Sequence, residues 1–440
     1  MSGSWDVAVI GAGPAGLMAA LHLARAGRSV VVHEAAPRVG GMAGSHEVDG
    51  VRVDFGSHRL HPATPPALLA EIRGLLGEDL QVRPRNGRIR LADRWLRFPL
   101  RAPDLLTKLP PRLAAGAARD TLVAPLRRPR QDTFAEVVRA GLGPTMADAF
   151  YAPYVEKLWG VPPDQLSGEL ARRRVSADGP VAIARRLVKA RKGGATFLYP
   201  RRGFGQISEA LADAASAAGA DIRLSSPVED LSGLDAGLVF STLPVTALAG
   251  MAGGPTTSLE HRGMALVHLT LDRRPFTPFD AHYFPEPDVV FSRLSEPTNY
   301  RVSADDPEDR TVLCAEVPCT AGDTTWSATD ADLGEQVADG LARVGLPAAR
   351  PHRVHVERLP RVYPLYRVGF ERELAAVLDW ARGLDRVVVF GRQGLFVPDN
   401  THHALAMGAE AAASVRPDGS FDRPRWDVAL DRFRGHVVED

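Results

Sequence analysis

Three glycines near the start of the chain, Gly11, Gly13 and Gly16, have the G-x-G-x-x-G spacing that can hold a phosphate group. They follow an apolar run typical of a buried strand and precede an alanine- and leucine-rich segment typical of a helix. The first glycine permits a sharp turn, the second allows close approach to a pyrophosphate, and the third allows the helix to pack on the strand. Pro14 and Ala15 open the predicted helix, whose N-terminal amides and dipole favour negative charge.

An acidic residue, Glu34, ends the next apolar run, 18 residues after Gly16. A carboxylate at about this distance binds the ribose 2′-hydroxyl of a dinucleotide. Because the same carboxylate would repel a 2′-phosphate, the sequence favours FAD or NAD over NADP.

A second glycine cluster follows in the segment Arg38-Val-Gly-Gly-Met-Ala-Gly44. A nicotinamide-binding fold has no general use for such a cluster, whereas a flavoprotein lays this segment along the pyrophosphate and ribityl chain. FAD is therefore the predicted cofactor, and Arg38, Gly40, Gly41 and Met42 are predicted to contact it.

The two glycine clusters resemble the extended fingerprint of the FAD-dependent amine oxidase and protoporphyrinogen oxidase superfamily. Two further motifs are similar to those of its UDP-galactopyranose mutase-like members, namely Ser57-His58-Arg-Leu-His61 and the pair Gly391-Arg392 after a strand. The resemblance covers essentially the whole chain and implies an α/β fold. It implies a Rossmann-like FAD-binding domain of glutathione-reductase type with a parallel sheet, and a discontinuous substrate domain with a mixed or antiparallel sheet and a helical insertion.

This layout predicts the domain boundaries. Residues 1–80, 195–250 and 384–440 are expected to form the FAD-binding domain, residues 81–194 a helical insertion, and residues 251–383 the substrate-binding sheet domain. Alternating apolar residues predict strands up to about Asp379, including one from Val289 to Arg293, with a helix from Leu333 to Val344 between them.

The resemblance also implies which residues surround the flavin. The candidate catalytic residues are His58, His61, Tyr363 and Arg392. Besides the two glycine clusters and Glu34, the candidate FAD-binding residues are Ser57, His58, Val228, Gly391, Arg392, Asn400 and Thr401. Asp399, Asn400 or Thr401 can also cap a helix whose N-terminus would stabilise negative charge on the reduced flavin.

The resemblance further implies a set of substrate-binding residues, several of them in an aromatic segment between Phe150 and Gly160. The candidates are Tyr151, Tyr154, Lys157, Trp159, Arg174, Asn299 and Tyr366. Aromatic residues at helical spacing also suit a packed core, so both interpretations of this segment stay open. Arg174 ends a run of three arginines that leaves room for an anionic substrate.

Composition restricts the other partners. Lysine and arginine together number 53, as do aspartate and glutamate, so no net basic field predicts a nucleic-acid partner. The two cysteines, Cys314 and Cys319, indicate no disulfide framework and no metal site, and they fit a reducing cytoplasm. No apolar stretch reaches the length of a membrane span, and the chain is expected to be a monomer or homodimer.

Two enzyme functions therefore stay open. The first is an FAD-dependent oxidase or dehydrogenase that acts on a small biosynthetic intermediate such as a sugar or amino-sugar derivative, with oxygen or nicotinamide as the electron acceptor. The alternative is a redox-neutral sugar-nucleotide mutase of the UDP-galactopyranose mutase type. A non-catalytic binding protein is disfavoured, because the glycine motif and Glu34 are intact.

Overall fold

The computed structural model describes residues 5–98, 104, 107–175 and 196–438. The C-terminal part of the predicted helical insertion, from residue 176 to residue 194, lies outside the described residues.

The strands of the described residues, in chain order, are β1 (Trp5–Ile10), β2 (Val30–His33), β3 (Ser45–Val48), β4 (Val51–Asp54), β5 (Leu80–Pro84), β6 (Gly87–Leu91), β7 (Arg94–Phe98), β8 (Thr196–Pro200), β9 (Asp221–Arg223), β10 (Ala236–Ser241), β11 (His261–Leu271), β12 (Ala281–Tyr283), β13 (Arg293–Ser295), β14 (Thr311–Cys319), β15 (Arg353–Pro364) and β16 (Val387–Val389).

The helices are α1 (Pro14–Arg25), α2 (Pro66–Leu76), α3 (Pro111–Val123), α4 (Phe134–Leu142), α5 (Pro144–Met146), α6 (Ala152–Trp159), α7 (Gly168–Arg174), α8 (Gln206–Ala217), α9 (Val245–Met251), α10 (Thr324–Ser327), α11 (Asp330–Arg343), α12 (Phe370–Arg382), α13 (Gly391–Gly394), α14 (Thr401–Ala413) and α15 (Arg423–Arg434). A π-helical stretch, Ala147–Tyr151, joins α5 to α6. No helix in the described segments has the length and apolar character that would carry it across a bilayer.

A parallel sheet in the order β16-β10-β1-β2-β9 forms the nucleotide-binding half. Its strands are short and valine-rich, and β1 buries Val7 through Ile10 because both faces of the sheet are covered. The central strand pairs Val7 with Val30 on one side and with Leu238 on the other. The carboxyl ends of β1, β2 and β16 therefore meet at one edge of the sheet.

Helix α1 packs closely on both the sheet and α14 because small residues stand at the contacts. A Cβ atom at Gly16 would lie 2.0 Å from the Gly11 carbonyl oxygen, and one at Gly408 would lie 2.2 Å from the Ala15 carbonyl oxygen. Two segments almost 400 residues apart in sequence are thus joined without an intervening side chain.

The second large sheet has the order β15-β11-β14-β13-β12-β6-β7. Its neighbouring strands are antiparallel except for the parallel pair β12 and β6, so it is a mixed sheet. The predicted α/β class, with one parallel and one mixed sheet, is confirmed. Strands β6 and β7 come from the segment 81–194, which the sequence assigned to a helical and substrate-binding insertion.

Two details of the sequence prediction are wrong. No strand runs from Val289 to Arg293, because the chain turns there and the strand begins only at Arg293. The segment expected to stay sheet-like to about Asp379 contains α12, whose apolar residues Phe370, Val377 and Ala381 face the interior.

Gly408→Ala is expected to destabilise the protein by about 1–3 kcal/mol, because the methyl group must displace the α1 backbone. Thermal unfolding followed by flavin absorbance measures both stability and cofactor retention.

The matched control is Gly74→Ala in α2, where a Cβ meets nothing within 4 Å. This change is expected to be neutral or to stabilise by about 0.5–1 kcal/mol, since alanine is the better helix former. Equal stability of the two variants would contradict the packing argument.

Candidate active site

A cavity of about 350 Å³ is lined by both halves of the fold. The predicted residues that line it are Gly11, Gly13, Pro14, Ala15, Glu34, Gly41, Met42, Ser57, His58, Arg174, Tyr363, Gly391, Arg392, Asn400 and Thr401. The predicted residues that do not line it are Gly16, Arg38, Gly40, His61, Tyr151, Tyr154, Lys157, Trp159, Val228, Asn299 and Tyr366.

The first glycine turn forms one end of the cavity. Gly11 has a φ of +101°, and a Cβ there would meet the Thr242 hydroxyl at 2.2 Å. A Cβ at Gly13 would meet nothing within 4 Å, so this part of the turn faces open space. Helix α1 begins at Pro14 with no acidic residue in its first turn, so its N-terminus keeps its positive electrostatic potential.

Glu34 is fixed beside this turn by two backbone groups. Its carboxylate accepts hydrogen bonds from Ala12 N at 2.7 Å and from Ala36 N at 2.9 Å. The second glycine cluster is tied to the same turn, because Gly40 N donates to Ala12 O at 2.8 Å. Gly40 has a φ of +110° and lies outside the cavity lining. Gly41 and Met42, which follow it, line the cavity.

The loop after the β3–β4 hairpin brings His58 to the cavity wall. The His58 Nε2 atom lies 2.9 Å from the Phe55 carbonyl oxygen. Because a carbonyl oxygen only accepts, this contact assigns the proton to Nε2 and leaves Nδ1 as an acceptor. Burial lowers the pKa of His58, which keeps the imidazole neutral at neutral pH.

His61 does not join His58 at the cavity. Its Nδ1 accepts a hydrogen bond from Ala63 N at 3.1 Å, and its ring lies 6.2 Å from the His402 ring. The chain turns after Leu60, which forms an isolated bridge to Leu198, so the two histidines point to different places.

Five arginines line the cavity, and they are Arg59, Arg85, Arg174, Arg293 and Arg392. Arg59 binds Asp280 at 3.1 Å, and Arg293 binds Glu316 through Nε at 2.9 Å and Nη2 at 2.7 Å. Glu316 also accepts from Ser57 N at 2.8 Å and thereby positions the His58 loop.

Arg392 is held by carbonyl oxygens, donating to Asp399 O at 2.8 Å and to Val362 O at 2.7 Å. Burial lowers its pKa to about 10, and the nearby Arg174 contributes to this shift. Arg174 and Arg392 lie 5.1 Å and 5.7 Å from the Tyr363 ring centre. Within the described residues neither arginine forms an ion pair with a carboxylate, and the negative group that acts on Arg392 is the Asp399 carboxylate, which also lines the cavity.

Asn400 and Thr401 form the start of α14. Asn400 is the N-cap residue, and its backbone N donates to the His403 ring at 3.3 Å. Asp399, directly before it, is buried and accepts from His436 Nδ1 at 2.6 Å. The predicted cap is thus present, and the helix N-terminus borders the cavity.

Three predicted substrate residues instead hold the protein together. Lys157 donates to the carbonyl oxygens of Phe284, Glu286 and Phe291, and burial lowers its pKa to about 8. Asn299 donates to two carbonyl oxygens at 2.9 Å, and Tyr366 donates to Phe396 O at 2.9 Å.

The remaining predicted residues also lie behind the lining. Trp159 packs on Tyr363 with ring centres 5.6 Å apart, and Tyr151 and Tyr154 pack on Phe150. Val228 packs on an apolar cluster of the parallel sheet. The aromatic segment is therefore mainly core, which is the alternative that the sequence left open.

Sequence reasoning missed Arg59, Tyr283 and the pair Arg293–Glu316. These residues meet because β13 and β14 place Arg293 directly opposite Glu316 in the sheet. The available signal was an arginine and a glutamate inside otherwise apolar strands, but only the register shows that they pair.

A parallel sheet with a glycine turn, joined to a mixed sheet across a polar cavity, defines a two-part dinucleotide-binding enzyme fold. The family described as flavin containing amine oxidoreductase matches residues 14–397, and the chain belongs to this family. FAD is therefore the cofactor. The residues present fit it, because the open glycine turn and the positive start of α1 suit a pyrophosphate.

Solved structures show the same fold. A reduced UDP-galactopyranose mutase has a TM-score of 0.79 and 20% identity, with 100% of this chain and 98% of that chain covered. A putative protoporphyrinogen oxidase from Exiguobacterium sp. 255-15 has a TM-score of 0.73 and 20% identity over 93% of this chain and 98% of that chain.

Curated relatives match over short stretches. A putrescine oxidase from Kocuria rosea is 54% identical over 57 residues, which are 13% of this chain and 12% of that protein. A phytoene dehydrogenase from Streptomyces griseus is 47% identical over 72 residues, 16% of this chain and 14% of that protein. The chain thus aligns with only a small part of the length of either relative.

Glu316→Gln is expected to destabilise the protein by about 3 kcal/mol, because it leaves the Arg293 charge without a partner in a buried site. Denaturant unfolding measures the loss. The control is Glu335→Gln on the exposed face of α11, which is expected to change stability by less than about 0.5 kcal/mol. Equal stabilities would show that the pair contributes little.

Proposed function

We propose that the chain is an FAD-dependent oxidase or dehydrogenase that acts on a small anionic biosynthetic intermediate such as a sugar or amino-sugar derivative. The observation that carries this proposal is one cavity with two chemical characters. It has a glycine-lined end suited to a dinucleotide and an arginine-lined end suited to an anion. The bound flavin supplies the capacity to accept a hydride or two electrons.

In this proposal the chain holds the cofactor along the route that the glycine turns mark. Gly11, Gly13 and the start of α1 hold the pyrophosphate, and Glu34 holds the ribose. The segment from Gly391 to Thr401 borders the isoalloxazine, where the N-terminus of α14 stabilises negative charge. Val228 is left outside this set, since it does not line the cavity.

The arginines support an anionic substrate over a cationic amine. Arg174 and Arg392 have no carboxylate partner among the described residues, and the carboxylate of Glu316 is neutralised by Arg293. A diamine would therefore meet uncompensated positive charge, whereas a phosphate or carboxylate would satisfy it. The apolar side chains of Met264 and Leu266 line the cavity and exclude water from it.

His58 is proposed to hold or accept a proton from the substrate. Its imidazole is neutral and its Nδ1 is an acceptor, which are the properties of a general base near neutral pH. Tyr363 is proposed to position Arg174 and Arg392, which lie close to its ring.

The second candidate is the redox-neutral sugar-nucleotide mutase. It is supported by the similarity to the reduced UDP-galactopyranose mutase over the whole chain and by arginines able to hold a diphosphate. The identity of 20% limits that similarity to the fold.

Glu34→Ala is expected to weaken FAD binding by roughly 10- to 100-fold, the cost of losing a hydrogen bond to a charged group. Flavin fluorescence during titration of the apoprotein measures this affinity. Glu47→Ala, on the exposed side of β3, is the control and is expected to retain the affinity of the unchanged protein. If both variants bind FAD with equal affinity, the proposed contact between Glu34 and the ribose is contradicted.

Anaerobic reduction with dithionite followed by readmission of air tests the proposed reaction. Reoxidation within seconds, together with bleaching of the flavin by an anionic sugar derivative, is expected for an oxidase. Arg174→Met is expected to raise the KM for that substrate at least tenfold while the flavin spectrum is retained, because the anion loses its cationic partner.

The contrary outcome is a reduced protein that persists in air and binds UDP-sugars only in that state. This outcome would favour the mutase. Bleaching by a diamine with no effect of Arg174→Met would contradict the anionic substrate itself.

A further inference from the structure

Four side chains outside the cavity lining come together on one face of the mixed sheet. They are His46 from β3, His268 from β11, and His355 and Glu357 from β15. We call them the histidine cluster. The sequence predicted no metal site, because these residues are spread over more than 300 positions and share no motif.

Sheet register explains how the cluster forms. His268 stands directly opposite His355 on the neighbouring strand, and Glu357 follows His355 by two positions, so all three side chains are on one face. The β3–β4 hairpin lies over this face, because Asp49 at its turn bonds Thr270 and Arg353, each at 2.7 Å. The hairpin thereby carries His46 to the other three residues.

The ligand atoms are close enough to share one ion. The distance from His355 Nε2 to Glu357 Oε1 is 3.3 Å, and that from His46 Nε2 to the same oxygen is 4.0 Å. The ligand atoms of His46, His355 and Glu357 all lie within 4.8 Å of one another. His268 borders this group, with its ring centre 5.2 Å from that of His46.

His46 lacks hydrogen-bond partners. Among the described residues, neither of its ring nitrogens has one, whereas the His268 ring faces the backbone of His355 and Asp54. A buried polar group without a partner costs about 1–3 kcal/mol, which calls for a ligand that the His46 imidazole can bind.

The histidine cluster is open to solvent on one side. His355 and Glu357, the half-exposed members, leave the cluster open to solvent and give an ion a route of entry.

We propose that His46, His355 and Glu357 bind a divalent transition-metal ion of the Zn²⁺ type, with His268 beside the site. Two imidazoles and one carboxylate supply three nitrogen and oxygen donors, the set of a tetrahedral zinc site that keeps its fourth position open. Donors on one tetrahedral zinc lie about 3.4 Å apart, so the 3.3 Å separation already fits and His46 moves only slightly inward. Calcium and magnesium are disfavoured because they require mostly oxygen ligands.

Such an ion would fasten the hairpin to the sheet. The His46 ring stacks on Phe55 at 4.8 Å, and Phe55 lines the flavin cavity directly before Ser57 and His58. The ion would therefore stabilise the base of the loop that carries His58, with no direct part in the reaction.

A second group, Asp399, His403 and His436, is compact enough to be compared with the histidine cluster. Two of its contacts are already made, because His436 bonds Asp399 at 2.6 Å and His403 accepts from Asn400 N, whereas the second Asp399 oxygen has no partner among the described residues. Asp399 also lines the cavity. This group is therefore the alternative metal site that the experiment must distinguish from the histidine cluster.

The test uses the full chain with FAD bound and without an affinity tag, treated with a chelator and then titrated with Co²⁺. One equivalent with visible d–d absorption, displaced by Zn²⁺, is expected. His355→Ala and Glu357→Gln, both at half-exposed positions, are expected to weaken Co²⁺ binding at least tenfold, because each removes a ligand. Zn²⁺ should also raise the melting temperature of the unchanged protein but not of these variants.

The matched control is His352→Ala, a histidine on the same segment that pairs with Asp272 at 3.0 Å outside the cluster. It is expected to bind Co²⁺ as the unchanged protein does. The proposal is overturned if the unchanged protein shows no saturable binding, or if His355→Ala and Glu357→Gln bind normally. It is also overturned if His436→Gln, and not these variants, abolishes binding. Flavin absorbance and circular dichroism verify that every variant is folded.

Discussion

The close contact of helix α1 with the turn that precedes it, and with helix α14, determines the geometry of the whole site. Backbone meets backbone at Gly16 and Gly408, so the helix N-terminus is fixed relative to β1 on one side and to the last helices on the other. A single methyl group at either position would separate these elements. The glycine turn, Glu34 and the segment around Arg392 can border one cavity only because this packing excludes side chains.

The arginines that line the cavity differ in whether a carboxylate neutralises them, and this difference decides which of them can bind an anion. Arg293 and Glu316 neutralise each other, and Glu316 also accepts a hydrogen bond from the Ser57 backbone. Their role is therefore mainly structural. Arg174 and Arg392 instead stand near the faces of Tyr363 without a carboxylate partner among the described residues. The low polarity of the surroundings makes an unpaired cation expensive, and a substrate anion relieves that cost.

Local sequence was sufficient to predict those features that are formed within one continuous segment of the chain. The glycine turn and the position of Glu34 directly after β2 each depend on neighbouring residues, and each was predicted from them. The roles of side chains whose partners are distant in sequence were not predicted. Lys157 was predicted to bind substrate, but in the structure its ammonium group donates to backbone carbonyl groups of another segment. The Arg293–Glu316 pair depends on strand register, which the sequence does not show. His355 and Glu357 in β15 were not singled out, because most of that strand is only partly buried and lacks an apolar alternation.

The order of the chain separates the two halves of the cofactor site in time. Both glycine clusters precede Arg392, Asn400 and α14 by more than 300 residues. The nascent chain therefore carries a phosphate-binding turn while the helix that packs against it has not yet been made. Because domains generally fold as units during synthesis, the cofactor site is complete only after both parts have been synthesised.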